Sequence, residues 1–280
     1  MRDGQKQPVA DLRIGLIGSG NMASAMVAGW VRADPAIAGR IHLTDRGSGR
    51  ARTLANAVGG DHGTPVVHAD NRELVAAVDL VVLCVKPIDI EDVLREVSDI
   101  VDANTVVASV AAGVQTATME NLLDDDVPVL RLMPNVPVRV NAGTLVYAIG
   151  RAPSTLIGGV LELFAMLGTC VELQERLFDA ATAVSGSGPA FFGLVVEAFE
   201  DASIVAGLSA EIGRELVVTT MVGTAEMLVS EGMSCGDLRR MVTSPGGTAA
   251  TGLAQMERSG VRGAIIDTVV AARDRARELG

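Results

Sequence analysis

Short apolar runs alternate with longer amphipathic segments through the first part of the chain. The runs have the length of buried strands, and the segments between them have helical spacing. Because strands that alternate with helices form βαβ crossovers, the pattern predicts a parallel sheet covered by helices. The predicted strands are 14–17, 41–44, 80–85, 106–109 and 129–132, with 145–148 and 169–173 as later additions. The predicted helices are 22–33, 49–57, 72–77, 90–97 and 117–123.

The pattern changes after about residue 174. From Leu177 on there is no strand-like run, and apolar residues surround the predicted helices 191–205 and 212–229 almost completely. Such helices are buried inside a domain or against a partner subunit. The sequence therefore predicts an α/β domain over residues 1–174 and an all-helical domain over 175–280 that pairs two subunits. A monomer with a self-contained helical domain is the alternative.

A glycine-rich turn follows the first predicted strand directly. The segment Gly18-Ser-Gly-Asn-Met-Ala23 matches Gly-x-Gly-x-x-Ala and leads into a predicted helix. In such a turn the first glycine allows a tight bend, Gly20 lets the backbone approach a pyrophosphate, and the alanine lets the helix pack closely. The helix N-terminus supplies N–H groups to phosphates. We interpret the segment as a dinucleotide site; a purely structural turn is the alternative.

Charges of both signs follow the second predicted strand, at the sheet edge where the ribose of a dinucleotide binds. Asp45 suits the free 2′-hydroxyl of NAD, whereas Arg46, Arg50 and Arg52 suit the 2′-phosphate of NADP. Because both signals are present, we expect weak discrimination, with NADH used at least measurably. A solvated loop of mixed charge is the alternative.

Two further segments end predicted strands at the same edge. Lys86 precedes Pro87, which ends the strand, and its ammonium group is placed to meet phosphate, ribose or only solvent. The residues from Ser109 to Gly113 are small. Small residues let a nicotinamide ring lie against the backbone, but they also suit simple packing.

The turn Ser244-Pro-Gly-Gly247 precedes a helix predicted to begin at Thr248. The first N–H groups of a helix form a ready carboxylate site, although an ordinary helix start is the alternative. No histidine occurs after residue 68, so no Ser-His-Asp set can be proposed. Hydride transfer needs mainly positioning, because the cofactor carries the chemistry. A cationic substrate such as an iminium ion needs no strong acid from the protein.

Composition narrows the class of protein. The net charge of −11 argues against nucleic-acid binding, which needs a basic surface. Three distant cysteines without C-x-x-C spacing fit a reducing compartment, and the three histidines offer no metal-binding pair, so we expect no metal. Residues 1–12 lack the apolar core of a signal peptide, and no uncharged apolar stretch of about 18 residues occurs. We expect a cytoplasmic protein with no membrane partner.

Six motifs together resemble the pyrroline-5-carboxylate reductase family in order and spacing. They are Gly15-Leu-Ile-Gly-Ser-Gly-Asn-Met-Ala, Val85-Lys-Pro, Ala111-Ala-Gly, Met133-Pro-Asn-Val-Pro, Ala183-Val-Ser-Gly-Ser-Gly-Pro-Ala and Val242-Thr-Ser-Pro-Gly-Gly-Thr. The resemblance implies reduction of Δ1-pyrroline-5-carboxylate to proline by NADPH or NADH, the last step of proline synthesis. It implies an α/β fold with a Rossmann-type dinucleotide-binding domain followed by an all-helical dimerisation domain. Family dimers commonly form rings of five dimers, and the partner's helices complete each active site.

The resemblance also implies roles for individual residues. Glu175 matches a position that lines the substrate pocket, and Gly247, Thr248 and Ala249 match the turn that holds the substrate carboxylate, with Thr248 and Ala249 at the catalytic position. Together with Arg46, the candidate cofactor residues are Gly18, Ser19, Gly20, Asn21, Met22, Ala23, Asp45, Asn71, Cys84, Val85, Lys86, Pro87, Val110, Ala111 and Ala112.

The chain departs from the family pattern at two positions. The family motif Pro-Gly-Gly-x-Thr places a threonine hydroxyl near the ring nitrogen, and Ala249 stands at that position. Losing a hydroxyl that only orients the ring costs roughly 1 kcal/mol. Asp45 stands where the family usually has a neutral Ser or Asn, and its carboxylate should repel a 2′-phosphate.

Other functions stay open on the sequence alone. One is reduction of another cyclic imine or of a keto acid. The 3-hydroxyacid dehydrogenases share this architecture but place a lysine four residues after a Gly-x-Gly, where this chain has Phe192. Another is a non-catalytic family member that binds nucleotide and acts by association, which only Ala249 supports.

Overall fold

The computed structural model describes residues 12–151 and 154–279, and the prediction for the residues before 12 lies outside them. The chain forms two compact units. One extends to Gly186 and includes the segment from Arg273 on, and the other is Ser187–Ala272. The predicted boundary after residue 174 does not coincide with the boundary of these units. Phe178, for example, is buried against Val146 and Ala148 of the sheet in the first unit.

An eight-stranded sheet forms the middle of the first unit, in the order β3-β2-β1-β4-β5-β6-β7-β8. Because β1 pairs in parallel with both β2 and β4, and β4 pairs in parallel with β5, the carboxyl ends of these four strands meet at one edge. The strands are β1 Ile14–Ile17, β2 Ile41–Thr44, β3 Val66–Val67, β4 Leu80–Leu83, β5 Val106–Ser109, β6 Val129–Pro134, β7 Gly143–Ile149 and β8 Gly168–Glu172.

The predicted parallel sheet is confirmed for the strands up to β6, and the pattern does not predict the direction of the two later strands. β1 to β6 run in parallel, but β7 pairs antiparallel to β6, and β8 is parallel to β7. The connection from β6 to β7 holds only the 3₁₀ turn Val136–Val140, and a parallel pair needs a longer crossover. The pattern also misses β3, whose two exposed valines show no alternation. The strand predicted over 80–85 ends at Leu83.

Helices of the first unit cover both faces of the sheet. They are α1 Asn21–Ala33, α2 Arg50–Val58, α3 Asn71–Ala76, α4 Ile90–Val97, α5 Thr116–Glu120, α6 Ser154–Ala165 and α7 Phe178–Ala181. The first five agree with the predicted helices to within a few residues, whereas the pattern does not predict α6 and α7. One apolar core joins the sheet to α1, α2 and α6, and a second joins it to α3 and α4. The strands between these layers are therefore buried on both faces, as parallel strands usually are.

The single tryptophan of the chain lies in the first of these cores. Trp30 on α1 is fully buried, and its Nε1–H donates to the Leu163 carbonyl oxygen at 2.9 Å. Its ring lies 5.5 Å from that of Phe164, centroid to centroid. These contacts join the C-terminal half of α1 to α6.

The described part of the second unit consists of helices and short connections, and the helices predicted over 191–205, 212–229 and from 248 are confirmed. Local signals account for their starts. Pro189 occupies the first turn of the first helix, and the Ser209 side chain accepts the Ile212 N–H at the start of the second. The helices are α8 Gly188–Val205, α9 Ala210–Ser230, α10 Cys235–Val242, α11 Thr248–Arg258 and α12 Val261–Leu279, whose last part belongs to the first unit.

Large apolar side chains of α8 and α9 remain exposed in the single chain. Phe199 is 53% exposed, Val205 is 90% and Val229 is 80%. Among the described residues, the helical stretch Glu175–Val205 also has the length and composition of a membrane span. Two carboxylates, Glu197 and Glu200, interrupt the second half of this stretch. An exposed apolar area of this extent is typical of an interaction surface.

We expect this surface to pair two subunits. Light scattering at micromolar concentration should therefore give at least the mass of a dimer, whereas a clean monomer would contradict the interpretation. Val222→Glu, at a side chain 63% exposed on α9, should shift the mass toward the monomer. The same change at Val66, an exposed residue on the edge strand β3, serves as the control and should leave the mass unchanged.

Candidate functional site

The glycine turn after β1 is held by contacts to the neighbouring strands. Gly18 has φ +95°, in the left-handed region, and a Cβ there would lie 2.9 Å from the Cys84 carbonyl oxygen. The Gly18 N–H donates to the Thr44 carbonyl at 3.1 Å, and the buried Ser19 hydroxyl donates to the same oxygen at 3.0 Å. Only glycine fits position 18, for reasons of both conformation and space.

Gly20 differs from Gly18, because the described residues leave space for a Cβ at this position. A Cβ at Gly20 would meet no atom within 4 Å, and φ is an ordinary −80°. Gly20 is the N-cap of α1, and no side chain caps the first turn, which contains Asn21, Met22 and Ala23. Packing within the described residues therefore does not account for a glycine at this position. Open backbone at an uncapped helix N-terminus is the arrangement that binds a pyrophosphate.

Asp45, the acidic residue after β2, forms a hydrogen bond within its own loop. Its carboxylate accepts the Ala51 N–H at 2.6 Å. Burial acts to raise the pKa of Asp45, but hydrogen bonds from Ala51, Ser48 and Gly47 outweigh it and hold the pKa below its usual value. The carboxylate is thus ionised at neutral pH, and it shapes the loop that leads into α2.

The three arginines of this loop have different surroundings. The Arg46 guanidinium pairs with Asp89 after β4, at 2.8 Å between Nη2 and Oδ1. Arg52 lines a cavity of about 430 Å³ whose wall also includes Asp45 and His68. Neither the Arg50 nor the Arg52 side chain forms an ion pair within the described residues. The loop therefore presents exposed positive charge beside a carboxylate that is already hydrogen-bonded.

The segments after β4 and β5 lie beside the glycine turn. Backbone hydrogen bonds tie them together: the Cys84 N–H donates to the Ile17 carbonyl at 2.8 Å, and the Val110 N–H to the Leu83 carbonyl at 3.1 Å. Burial raises the pKa of the Cys84 thiol, which stays protonated. Lys86 is exposed. The predicted segments 84–87 and 110–112 thus share one edge with 18–23 and with Asp45.

Asn71 also lies at this edge, at the start of α3. The Thr44 hydroxyl donates to Asn71 Oδ1 at 2.9 Å, and Asn71 Nδ2 donates to Glu96 Oε2 at 2.8 Å. The amide is therefore oriented by partners on both sides. Through these two hydrogen bonds Asn71 links the end of β2 to α4, and it holds the two elements in position.

Glu175 is the centre of a largely buried network that the sequence does not predict. Its carboxylate accepts the Thr116 N–H at 3.0 Å, the Thr116 hydroxyl at 2.9 Å and Arg131 Nη1 at 3.0 Å. The Arg131 guanidinium also lies 4.2 Å from the centroid of the Phe178 ring. The network fixes the end of the loop that begins at Val110. Arg131 is a charged residue within an apolar strand, and this is the signal that indicates a buried partner.

The turn before α11 forms the predicted helix start within the second unit. Gly247 is the N-cap, its N–H donates to the Ser244 carbonyl at 3.0 Å, and no side chain caps the helix. Thr248 is exposed and Ala249 is half-buried. Like the N-terminus of α1, this one leaves its first N–H groups without a side-chain partner.

The described residues offer no group of three or more His, Cys, Asp or Glu side chains that could hold a metal ion. The glycine turn at the carboxyl edge of a parallel sheet and the exposed apolar helices define the class of protein. It is an oxidoreductase with a dinucleotide-binding fold, followed by a helical unit that has an interaction surface. Residues 175–279 match the family model for pyrroline-5-carboxylate reductase dimerisation, and residues 13–113 match the model for coenzyme F420-dependent NADP oxidoreductases. The chain belongs to the pyrroline-5-carboxylate reductase family.

Relatives match over nearly the whole chain. The pyrroline-5-carboxylate reductase of Methanosarcina acetivorans is 35% identical, with 96% of this chain and 98% of that protein covered. A structure from Coxiella burnetii has a TM-score of 0.85 at 32% identity, with 96% and 98% covered. The Plasmodium falciparum pyrroline carboxylate reductase, solved with NADP bound, has a TM-score of 0.83 at 26% identity, with 97% and 99% covered. The predicted fold class is thereby confirmed.

Proposed function

We propose that this chain reduces Δ1-pyrroline-5-carboxylate to L-proline with a reduced nicotinamide cofactor. The observation that carries the proposal is similarity to proteins named for this reaction over 96% of the chain, covering both units. A hydride adds to the carbon of the C=N bond and a proton to its nitrogen, so that the imine, the reduced nicotinamide and one proton give proline and the oxidised nicotinamide. NADPH or NADH supplies the hydride when bound.

The residues at the sheet edge fit such a cofactor. The open position at Gly20 and the uncapped start of α1 suit the pyrophosphate, so residues 18–23 are assigned to it. The loop with Asp45 and Arg46, and Asn71 beside it, is assigned to the adenosine end. The segments 84–87 and 110–112 are assigned to the nicotinamide half. The division into residues 1–174 and 175–280 is kept for these roles, and the family model that begins at 175 supports it.

Substrate binding is assigned to the turn at Gly247 and to Glu175. The N–H groups of the turn suit the substrate carboxylate, because no described side chain caps this end of α11. Thr248 and Ala249 follow directly in the first turn of α11. Glu175 already accepts three hydrogen bonds, so it serves the pocket by fixing its wall.

Assembly and location follow from the same proposal. The functional unit is a homodimer formed through the helical unit, and a ring of five dimers is the larger assembly that the family resemblance implies. We place the protein in the cytoplasm, with no nucleic-acid or membrane partner. The net charge of −11 and the three free cysteines support this placement.

Turnover of pyrroline-5-carboxylate tests the proposal most directly. NADPH or NADH oxidation should depend on the substrate, and proline should form in equal amount. Nucleotide binding without turnover would contradict the proposal and favour a non-catalytic member. Turnover of another cyclic imine, without turnover of pyrroline-5-carboxylate, would favour the alternative substrate. Ala249 is the observation that supports that alternative.

Replacing Ala249 by threonine should raise kcat by about fivefold, because one hydrogen bond to the ring nitrogen contributes about 1 kcal/mol. KM should change less, since the interaction strengthens as the nitrogen gains its proton. Ala250→Thr, one residue along α11, is the matched control and should leave kcat unchanged. If both variants behave alike, the ring nitrogen does not lie near position 249.

A further inference from the structure

An ion pair joins two loops on opposite sides of the glycine turn. Arg46 follows β2, and Asp89 ends the 3₁₀ turn Pro87–Asp89 after β4. Their side chains meet at 2.8 Å between Nη2 and Oδ1. Because β2 and β4 are the two neighbours of β1, this pair spans the strand end where the glycine turn begins. It lies where the adenosine half of a dinucleotide enters such a sheet.

Among the charged groups of this region, Asp89 is the carboxylate that pairs with Arg46. Asp45, the adjacent carboxylate, accepts hydrogen bonds from its own loop. Arg50 and Arg52 form no ion pair among the described residues. Of the three arginines in this loop, Arg46 is therefore the one whose charge is already matched by a carboxylate.

We propose that Asp89 tunes coenzyme selectivity by competing with the 2′-phosphate of NADPH for the Arg46 guanidinium. The inference rests on the proposed function, because it needs a dinucleotide at the glycine turn. A guanidinium binds phosphate and carboxylate through the same donors. NADH leaves the Arg46–Asp89 pair intact, whereas NADPH binding has to break it. The free energy of the pair is thus subtracted from the binding of the phosphorylated coenzyme alone.

The size of the effect follows from the exposure of the pair. The Arg46 side chain is 67% exposed and the Asp89 side chain 22%. Exposed pairs of this kind change an equilibrium by about two- to fivefold, and salt screens them. Asp89 therefore adjusts the preference between the coenzymes without excluding either of them.

Binding of two nucleotides by calorimetry tests the proposal on the full chain. Adenosine 2′,5′-bisphosphate carries the 2′-phosphate and 5′-AMP lacks it, so the ratio of their Kd values isolates that group. Asp89→Asn should tighten the bisphosphate by about two- to fivefold and leave 5′-AMP unchanged. In an Arg46→Met background the same substitution should leave the ratio unchanged.

Asp92→Asn is the matched control, because Asp92 is an exposed carboxylate three residues along that forms no pair among the described residues. It removes the same charge and should leave the ratio within about 1.5-fold, since screening weakens unpaired surface charges. An equal effect of Asp92→Asn and Asp89→Asn, or an effect that persists without Arg46, overturns the proposal.

The experiment distinguishes an error in the proposal about Asp89 from an error in the proposed function. If both nucleotides bind and Asp89→Asn leaves their ratio unchanged, selectivity by Asp89 is wrong and the proposed function stands. If neither nucleotide binds the wild-type chain, the cofactor site itself is wrong, and the inference about Asp89 falls with it. An unchanged melting temperature of Asp89→Asn verifies that the fold is the same in each comparison.

Discussion

Gly20→Val should weaken the binding of NADPH and of NADH by about a hundredfold or more while the fold stays intact. Apart from the neighbours of Gly20 in sequence, no atom of the described residues lies within 4 Å of a Cβ at this position, so there is room for the first carbon of a side chain. The added carbons instead occupy the space in front of the α1 N-terminus. Blocking about two hydrogen bonds to a charged phosphate removes roughly 3 kcal/mol, which is two factors of ten in Kd. Fluorescence titration of bound NADPH measures the change.

Gly60→Val is the matched control for this experiment. A Cβ at Gly60 also meets no atom of the described residues within 4 Å, and Gly60 lies in the connection from α2 to β3, which enters β3 at its amino end. Its variant should bind both coenzymes as the wild type does. A Gly20→Val protein with wild-type affinity would mean that the pyrophosphate does not approach the turn at that residue.

Arg131→Met should lower the free energy of unfolding by about 3 kcal/mol. The substitution keeps most of the buried volume but leaves the Glu175 carboxylate without its charged partner. It also removes the guanidinium from the face of Phe178. Breaking one side of a buried pair is costly, because the remaining charge stays desolvated. Melting followed by circular dichroism should show a decrease of roughly 6 °C or more.

Arg176→Met controls for the loss of an arginine as such. Arg176 is exposed, is next to Glu175 in sequence and donates to the nearby Gln174 side chain. Its substitution should change the melting temperature by no more than about 1–2 °C. Equal effects at Arg131 and Arg176 would show that the ion pair with Glu175 contributes little to stability.

Hydrophobic periodicity is enough to predict the strands and helices around the nucleotide edge. Residues 14–17, 41–44 and 106–109 are strands with the predicted bounds, because buried parallel strands are continuous apolar runs between helices. Periodicity carries no information on strand direction, so the reversal at β7 could not be predicted from it. The two-residue strand β3 is too short to show any pattern.

The part of the candidate site that is local in sequence can be predicted, and the part that depends on distant partners cannot. The glycine turn is a local motif, whereas the partners of Arg46 and Glu175 lie more than 40 residues away in sequence. Such pairs exist only once the sheet places β2 and β4 on the two sides of β1, and β6 and β8 on the two sides of β7. The sequence therefore indicates which charged residues matter at the edge, and the structure indicates which of them are already neutralised.

The burial of Trp30 has a consequence for spectroscopy. It is the single tryptophan of the chain, it lies in the first core, and the helices of the second unit contain none. Its emission is thus a signal from the sheet and α1 alone: short in wavelength while the indole is enclosed, and red-shifted once water reaches it. A denaturant titration followed at this wavelength reports the opening of the nucleotide-binding half, while far-ultraviolet ellipticity is dominated by helices. If the two curves coincide, the two units unfold together; if they separate, the units unfold independently.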